Sequence, residues 1–231
     1  MIERASALRI TGAARRFVDE PVPDAAVHQI LDDARFAPSG GNRQPWRVAV
    51  VKDLAIRRRL ATMMQPVWDA YVARARLGIS PYNPVDDIEP EGVVHAPNEL
   101  LDHIESVPVV LAIAADLGKI ALMDGDLDRP ALTGGASIYP FCWSIMLSAR
   151  ERGLGGVMTT FLSRVEPAAA PELRLPAHHA LAATIFLGVP EHQATKLRRD
   201  DVHDFATIDR FDGDEFHPPA FAEPWRRRHD G

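Results

Sequence analysis

Between Pro23 and Ala34 the apolar residues Val27, Ile30, Leu31 and Ala34 recur three and four apart, which predicts a helix with one buried face, introduced by Pro23-Asp24. At Trp46 the period changes, and the run Val48-Ala49-Val50-Val51 predicts an inner strand that ends at Lys52-Asp53. Leu60, Met63, Met64 and Val67 return to helical spacing, and this helix continues toward Tyr71 and Leu77 with a kink or restart at Pro66. Residues 78–98 hold Pro81, Pro84, Pro90 and Pro97 among acids without a period; such a long surface excursion points to a lid or a partner contact. Val107 to Ala115 reads as a second inner strand, with Pro108 near its start, where a proline is tolerated. A polar, acidic loop follows from Asp116 to Arg129. The longest helical pattern spans Gly134 to Gly153, where Ile138, Phe141, Cys142, Ile145, Met146 and Ala149 put apolar groups on more than one face and imply burial in the domain or between subunits. Gly156 to Phe161 predicts a strand, Glu166 to Leu173 a short helix, and Ala180 to Gly188 a strongly apolar strand before Pro190. Helices around a few apolar strands, without regular alternation, favour an α+β fold over a doubly wound sheet.

With 231 residues and 46% apolar content, the chain has room for one substantial domain or two small ones. Nothing in the pattern demands two, so residues 1–231 are read as a single domain with residues 190–231 as a C-terminal arm. That arm scatters Phe205, Phe211, Phe216, Phe221 and Trp225 through charged sequence too irregular for its own core, which implies packing along another subunit. A net charge of -6 argues against broad attraction to nucleic acid, and the Arg226-Arg227-Arg228 run reads as a solvated end. No apolar stretch reaches membrane-spanning length, and the N-terminus lacks the apolar core of a secretion signal, so a cytoplasmic protein with no membrane partner is expected. The single cysteine, Cys142, has no internal disulfide partner and sits in an apolar helical pattern that predicts an inert thiol. The histidines form no HExxH, and His178-His179 cannot close a metal site by themselves, so no metal is expected. Neither a G-x-S-x-G elbow, a P-loop nor a GxGxxG is present, which leaves hydrolase, NTPase and ordinary dinucleotide-fold readings without their parts.

The segment Ala37-Pro38-Ser39-Gly40-Gly41-Asn42-Arg43-Gln44-Pro45-Trp46 stands apart from an ordinary connection. Two prolines fix backbone angles, two glycines permit conformations closed to other residues, and Ser39, Asn42 and Gln44 offer short hydrogen-bonding groups. Such backbone suits a planar ligand with polar edges. The string closely resembles the APSSxNxQPW-type segment of the nitroreductase family, FMN-dependent oxidoreductases in which this loop contacts the flavin, and Pro38, Ser39, Gly40, Asn42 and Gln44 are carried over as cofactor-binding residues.

Two further stretches support the resemblance. Thr11 to Phe17 occupies the place of the family's Arg-Arg-Ser-x-Arg-x-Phe segment: Arg15 aligns with the last arginine and Phe17 with the aromatic, while Thr11, Gly12 and Ala13 replace the other phosphate contacts. Arg15 and Arg16 are therefore candidate phosphate ligands, the alternative being that they decorate a helix start. Gly153-Leu154-Gly155-Gly156-Val157-Met158-Thr159-Thr160 resembles the glycine stretch whose backbone approaches the flavin; no catalytic side chain is implied, only backbone donors near Gly155 and Gly156 that steady negative charge on the reduced ring. Taken alone, this stretch is a helix stop. Trp143 and Ser144 stand where many relatives carry a Gln-Asn pair. In the tail, Arg199 and Arg198 are candidates for a further phosphate-binding basic residue, set against a plain surface-charge reading.

The resemblance implies a nitroreductase-like central mixed or antiparallel sheet surrounded by helices. It further implies an interlocked homodimer with FMN at two interface sites, each built from both subunits. NADH or NADPH delivers hydride, leaves, and is replaced by a nitroaromatic, quinone or similar small acceptor in ping-pong order. Trp68, Tyr71 and Tyr82 lie in segments expected to roof the substrate side, although core packing suits Trp68 equally well. Two alternatives remain: a flavin-binding sensor or reservoir without turnover, and a specialised relative that dehalogenates or fragments its substrate or flavin.

Overall fold

The computed structural model describes residues 4–217. The chain forms two compact units, one running to Thr195 and one beginning at Lys196. In the first unit, β1 (Trp46–Val50), β2 (Val109–Asp116), β3 (Gly155–Thr159) and β4 (His179–Gly188) form one antiparallel sheet in the order β1-β2-β4-β3. Helices α1 (Arg4–Ile10), α2 (Asp24–Ala34), α3 (Leu54–Arg76), α4 (Glu99–Asp102), α5 (Tyr139–Glu151), α6 (Phe161–Arg164) and α7 (Glu166–Leu173) accompany it. The sheet is thus antiparallel throughout, within the predicted α+β class.

Because side chains alternate along a strand, the apolar run of β2 buries both its faces. Val109, Leu111, Ile113 and Ala115 pack with α2 and α5, while Val110, Ala112 and Ala114 pack with Leu60 and Met64 of α3, Leu100 and Leu101 of α4 and Leu162 of α6. Each large aliphatic side chain buried this way contributes about 1.5–3 kcal/mol. The register shifts between Ile113 and Ala114, where Ala182 is the extra residue on β4, so Leu181 returns to the face of Phe186. Buried in α5, Cys142 has its thiol pushed up to about 12 by desolvation, as suits an inert packing residue.

Three expectations need revision. Trp46–Val50 is an edge strand rather than an inner one, with Arg47, Ala49 and Val50 exposed; a short apolar run reads the same at an edge as inside a sheet. Helix α3 runs through Pro66 without a restart: Pro66 and Thr62 both lie on the exposed face, where the carbonyl deprived of its donor meets water. Helix α5 starts at Tyr139, with Pro140 in its first turn, after a separate 3-10 turn at Thr133–Gly135.

Residues 78–98 form the expected excursion, held to α3 by Arg74, whose buried guanidinium pairs with Asp87 at 2.7 Å and Glu89 at 2.7 Å. In the second unit, Asp201 caps a short turn, Thr207 bridges Glu215, and Phe205, Phe211 and Phe216 are exposed within a single chain. Phe221, Trp225 and the Arg226-Arg227-Arg228 run lie outside the described residues. Among the described residues no helix is long and apolar enough to cross a membrane.

Candidate functional site

After α1 the chain runs extended across the end of the sheet. Ala14 N donates to Gly156 O at 2.8 Å, Val18 N to Val189 O at 2.9 Å, and Phe17 bridges Pro190. This close crossing explains Gly155, where a Cβ would lie 2.9 Å from the Ala14 and Pro190 Cβ atoms; at Gly156 the constraint comes from the paired strand, since a Cβ there would lie 2.4 Å from Phe186 O. Both glycines are buried under the crossing segment, and it is the rest of β3 that reaches open space. Arg15 and Arg16 therefore stand on an extended arm, which removes the helix-start alternative.

The arm, α3 and β3 enclose a cavity of about 560 Å³. Arg15 and Arg16 come from the arm, Trp68 and Tyr71 from α3, and residues 97–100 and 157–161 complete the wall. Trp68 and Tyr71 stack at 5.6 Å, and Phe161 packs against both at 5.8 and 5.9 Å. The indole N–H of Trp68 donates to Pro97 O at 3.2 Å, which fixes the ring. Tyr82 lies elsewhere: its hydroxyl donates to Val67 O at 3.3 Å, and its ring lies under the Arg74 guanidinium at 4.3 Å.

The two arginines differ in state. Arg16 forms a fork with Glu99, its Nη2 donating to Oε1 at 2.5 Å and its Nε to Oε2. Among the described residues Arg15 has no side-chain partner and is exposed. In the same wall the hydroxyl of Thr159 is buried without a hydrogen-bond partner. An unpaired guanidinium, an aromatic wall and an orphaned hydroxyl fit a flat, polar-edged molecule that carries an anionic group.

The 37–46 segment is built with care but lies outside this cavity. Ser39 Oγ accepts from Gln44 N at 3.0 Å, Gly40 N donates to Ser137 Oγ at 3.1 Å, and Gln44 Nε2 donates to Asn42 Oδ1 at 3.1 Å. Gly41, Asn42 and Gln44 have φ of 58°, 52° and 48°; the left-handed region costs a non-glycine residue about 1–3 kcal/mol and concentrates at functional sites. Trp46 anchors the segment by stacking on Phe141 at 4.7 Å. Pro38 lines a depression of about 200 Å³ with Ser144, Leu147 and Ser148. Within one chain the predicted site residues thus form two groups, one around Arg15 and one around Asn42.

Arg198 and Arg199 belong to the second unit, where both are exposed and Arg199 donates to Arg198 O at 2.6 Å. That unit also brings Asp201, His203 and Asp204 within 4.8 Å of one another, although Asp201 and Asp204 are engaged in the capping turn. Glu99 and Phe161 belong to the cavity without having been singled out as site residues, and Thr159 belongs to it from within the 153–160 stretch, of which only the glycines were named as ligands. Glu99 meets Arg16 across 83 positions of chain, a separation that no local motif records.

Residues 12–189 match the family model for the nitroreductase family. A relative named NADH dehydrogenase from Thermus thermophilus is 30% identical over 192 residues, covering 80% of this chain and 85% of its own. Nitrobenzene nitroreductase from Ectopseudomonas oleovorans is 28% identical over 230 residues, covering 87% and 94%. 5,6-Dimethylbenzimidazole synthase from Rhodospirillum rubrum is 31% identical over 199 residues, covering 80% and 82%. NADPH:FMN oxidoreductase from Vibrio harveyi, solved in complex with NAD+, superposes with a TM-score of 0.65 at 17% identity over 90% of this chain and 77% of its own. Oxidized iodotyrosine deiodinase bound to FMN and 3-iodo-L-tyrosine gives a TM-score of 0.61 at 18% identity over 87% and 96%. At these identities the solved structures establish a shared fold.

Proposed function

This chain belongs to the nitroreductase family of oxidoreductases, and from that premise we propose that it is an FMN-dependent NAD(P)H oxidoreductase that works as a cytoplasmic homodimer. One observation carries the reading: the 560 Å³ cavity in which unpartnered Arg15, the Trp68-Tyr71-Phe161 wall and the orphaned Thr159 hydroxyl occur together. FMN held there would supply two-electron chemistry between a nicotinamide donor and a small acceptor. Arg15 binds the phosphate through its charged fork, and exposed Arg198 and Arg199 are further candidates from the second unit. Thr159 turns its hydroxyl to a polar edge of the ring and so relieves its own unsatisfied burial. Trp68, Tyr71 and Phe161 exclude water and give a planar nitroaromatic or quinone a surface to lie against. The strained Gly41-Asn42-Gln44 turn serves the cavity of a second copy, which accounts for its separation from Arg15 within one chain and for the polar groups it holds outward. Tyr82 supports the excursion through Arg74, Gly155 lets the arm dock, and Gly156 lets β3 pair closely with β4.

Anaerobic titration of the flavin-loaded protein with NADH and then NADPH tests this reading. Bleaching of the flavin absorbance by at least one donor, followed by recovery on adding a nitroaromatic or quinone, is expected; no bleaching by either removes the reductase. The relative named 5,6-dimethylbenzimidazole synthase, at 31% identity, favours a second reading in which the flavin itself is fragmented. Chromatography of the flavin after reduction, with and without oxygen, separates the two: intact FMN in both samples excludes fragmentation.

A further inference from the structure

We propose that Glu99 controls the phosphate subsite by holding Arg16 in a closed ion pair, so that Arg15 is the arm's one phosphate ligand. The proposal rests on the FMN reading above. Along the arm, every other side-chain donor is absent or engaged: the Thr11 hydroxyl donates to Ala7 O at 2.7 Å, and Gly12, Ala13 and Ala14 have none to offer. Arg16 presents its Nε–Nη2 edge to both oxygens of Glu99, in the same two-donor geometry with which a guanidinium grips a phosphate. One edge cannot serve both. Glu99 is itself well placed to keep it, because it opens α4, where the Asn98 side chain accepts from Leu100 N and Leu101 N, and buried Leu100 and Leu101 pin the turn to the core.

The pair also has a spatial role. Arg15, Arg16, Glu99 and Leu100 line the 560 Å³ cavity and, on their other side, an adjoining cavity of about 350 Å³ that His103, Ser106 and Glu191 help to enclose. The fork lines both spaces, with both of its side chains more than half exposed. Glu99 therefore lowers FMN affinity by occupying Arg16, and it leaves a flavin without phosphate untouched.

Full-length protein freed of flavin is titrated with FMN and with riboflavin, following quenching of flavin fluorescence. Arg15→Ala is expected to weaken FMN binding about ten-fold or more, the scale of a lost charge-assisted hydrogen bond, and riboflavin binding less than about two-fold. Arg16→Ala is expected to change FMN binding less than about three-fold, since that side chain is already engaged, while E99Q tightens FMN about two- to five-fold, the scale of an exposed ion pair, and leaves riboflavin unchanged. Adding R16A to E99Q is expected to remove most of the gain. Equal losses from R15A and R16A, or an E99Q variant that binds FMN like the wild type, overturn the proposal. A wild-type chain that binds riboflavin and FMN not at all overturns the FMN reading itself, and the two failures are thus told apart.

Discussion

Gly156 carries a constraint that no other side chain satisfies, because a Cβ there would lie 2.4 Å from a backbone oxygen, Phe186 O, and 2.5 Å from Leu187 Cδ2. A backbone atom cannot rotate away, so Gly156→Ala is expected to cost on the order of 2–3 kcal/mol by forcing β3 away from β4. Urea unfolding checks it; an unchanged midpoint means that β3 and β4 do not pack this tightly at Gly156. Arg57 presents the complementary case: its buried guanidinium donates to Val51 O at 2.8 Å and Val107 O at 2.5 Å. Arg57→Met keeps the bulk and loses these bonds, with an expected loss of about 2–3 kcal/mol in the same assay. Local chemistry made the Ser39-to-Gln44 turn readable, since glycine, proline and asparagine advertise unusual backbone wherever they cluster. Glu99 had no such advertisement: its meaning comes only from Arg16.

Among the elements, the loop between β2 and α5 shows how one carboxylate orders a stretch with no period of its own. Buried Asp124 accepts from Leu132 N at 2.8 Å, Thr133 N at 3.2 Å, Thr133 Oγ1 at 2.5 Å and Arg129 Nη1 at 2.7 Å. The Leu132 amide, the Thr133 hydroxyl and the Arg129 guanidinium, in that order, hold its carboxyl far below the ordinary carboxylate range. A carboxyl that is more acidic folded than unfolded stabilises the loop at every pH above the unfolded value of about 4, and that contribution disappears as pH falls toward the folded one. Amide exchange at Leu132 and Thr133 is therefore expected to stay slow at neutral pH and to accelerate, relative to the intrinsic rate, once the pH drops below about 4. Asp124→Asn is expected to give fast exchange at neutral pH; protected amides in that variant would show that the charge is not what closes the loop. Periodicity located α2, α7, β2 and β4 closely because each follows from local spacing of apolar residues. It misjudged β1, whose edge position depends on which strands pair, and Pro66, whose tolerance depends on which face of α3 is wet.

At the scale of the whole molecule, the separation of Arg15 from the Asn42 turn makes a shared site testable by complementation. Sedimentation is expected to give a species of about twice the 25.5 kDa chain mass. Arg15→Ala and Asn42→Ala damage opposite halves of the proposed site, so mixed dimers carry one intact site and one doubly damaged site. Unfolding and refolding the two variants together is expected to restore FMN binding to about half of the mixed dimers' sites. No recovery in the mixture places both residues in one chain's site and removes the shared-site reading.

By itself the sequence determined what depends on near neighbours: the apolar spacing of most helices and strands, the left-handed turn ahead of Trp46, the inert cysteine and the family to which the motifs point. The tertiary structure decided what depends on distant partners. It put Arg15 and Arg16 on an extended arm over Gly156, closed Arg16 with a glutamate 83 positions away, gathered Trp68, Tyr71 and Phe161 into one wall and kept the Asn42 turn out of it. The reason is physical: backbone preference and periodicity act over a few residues, whereas a cavity is defined by side chains that meet only after the sheet has paired and its helices have packed.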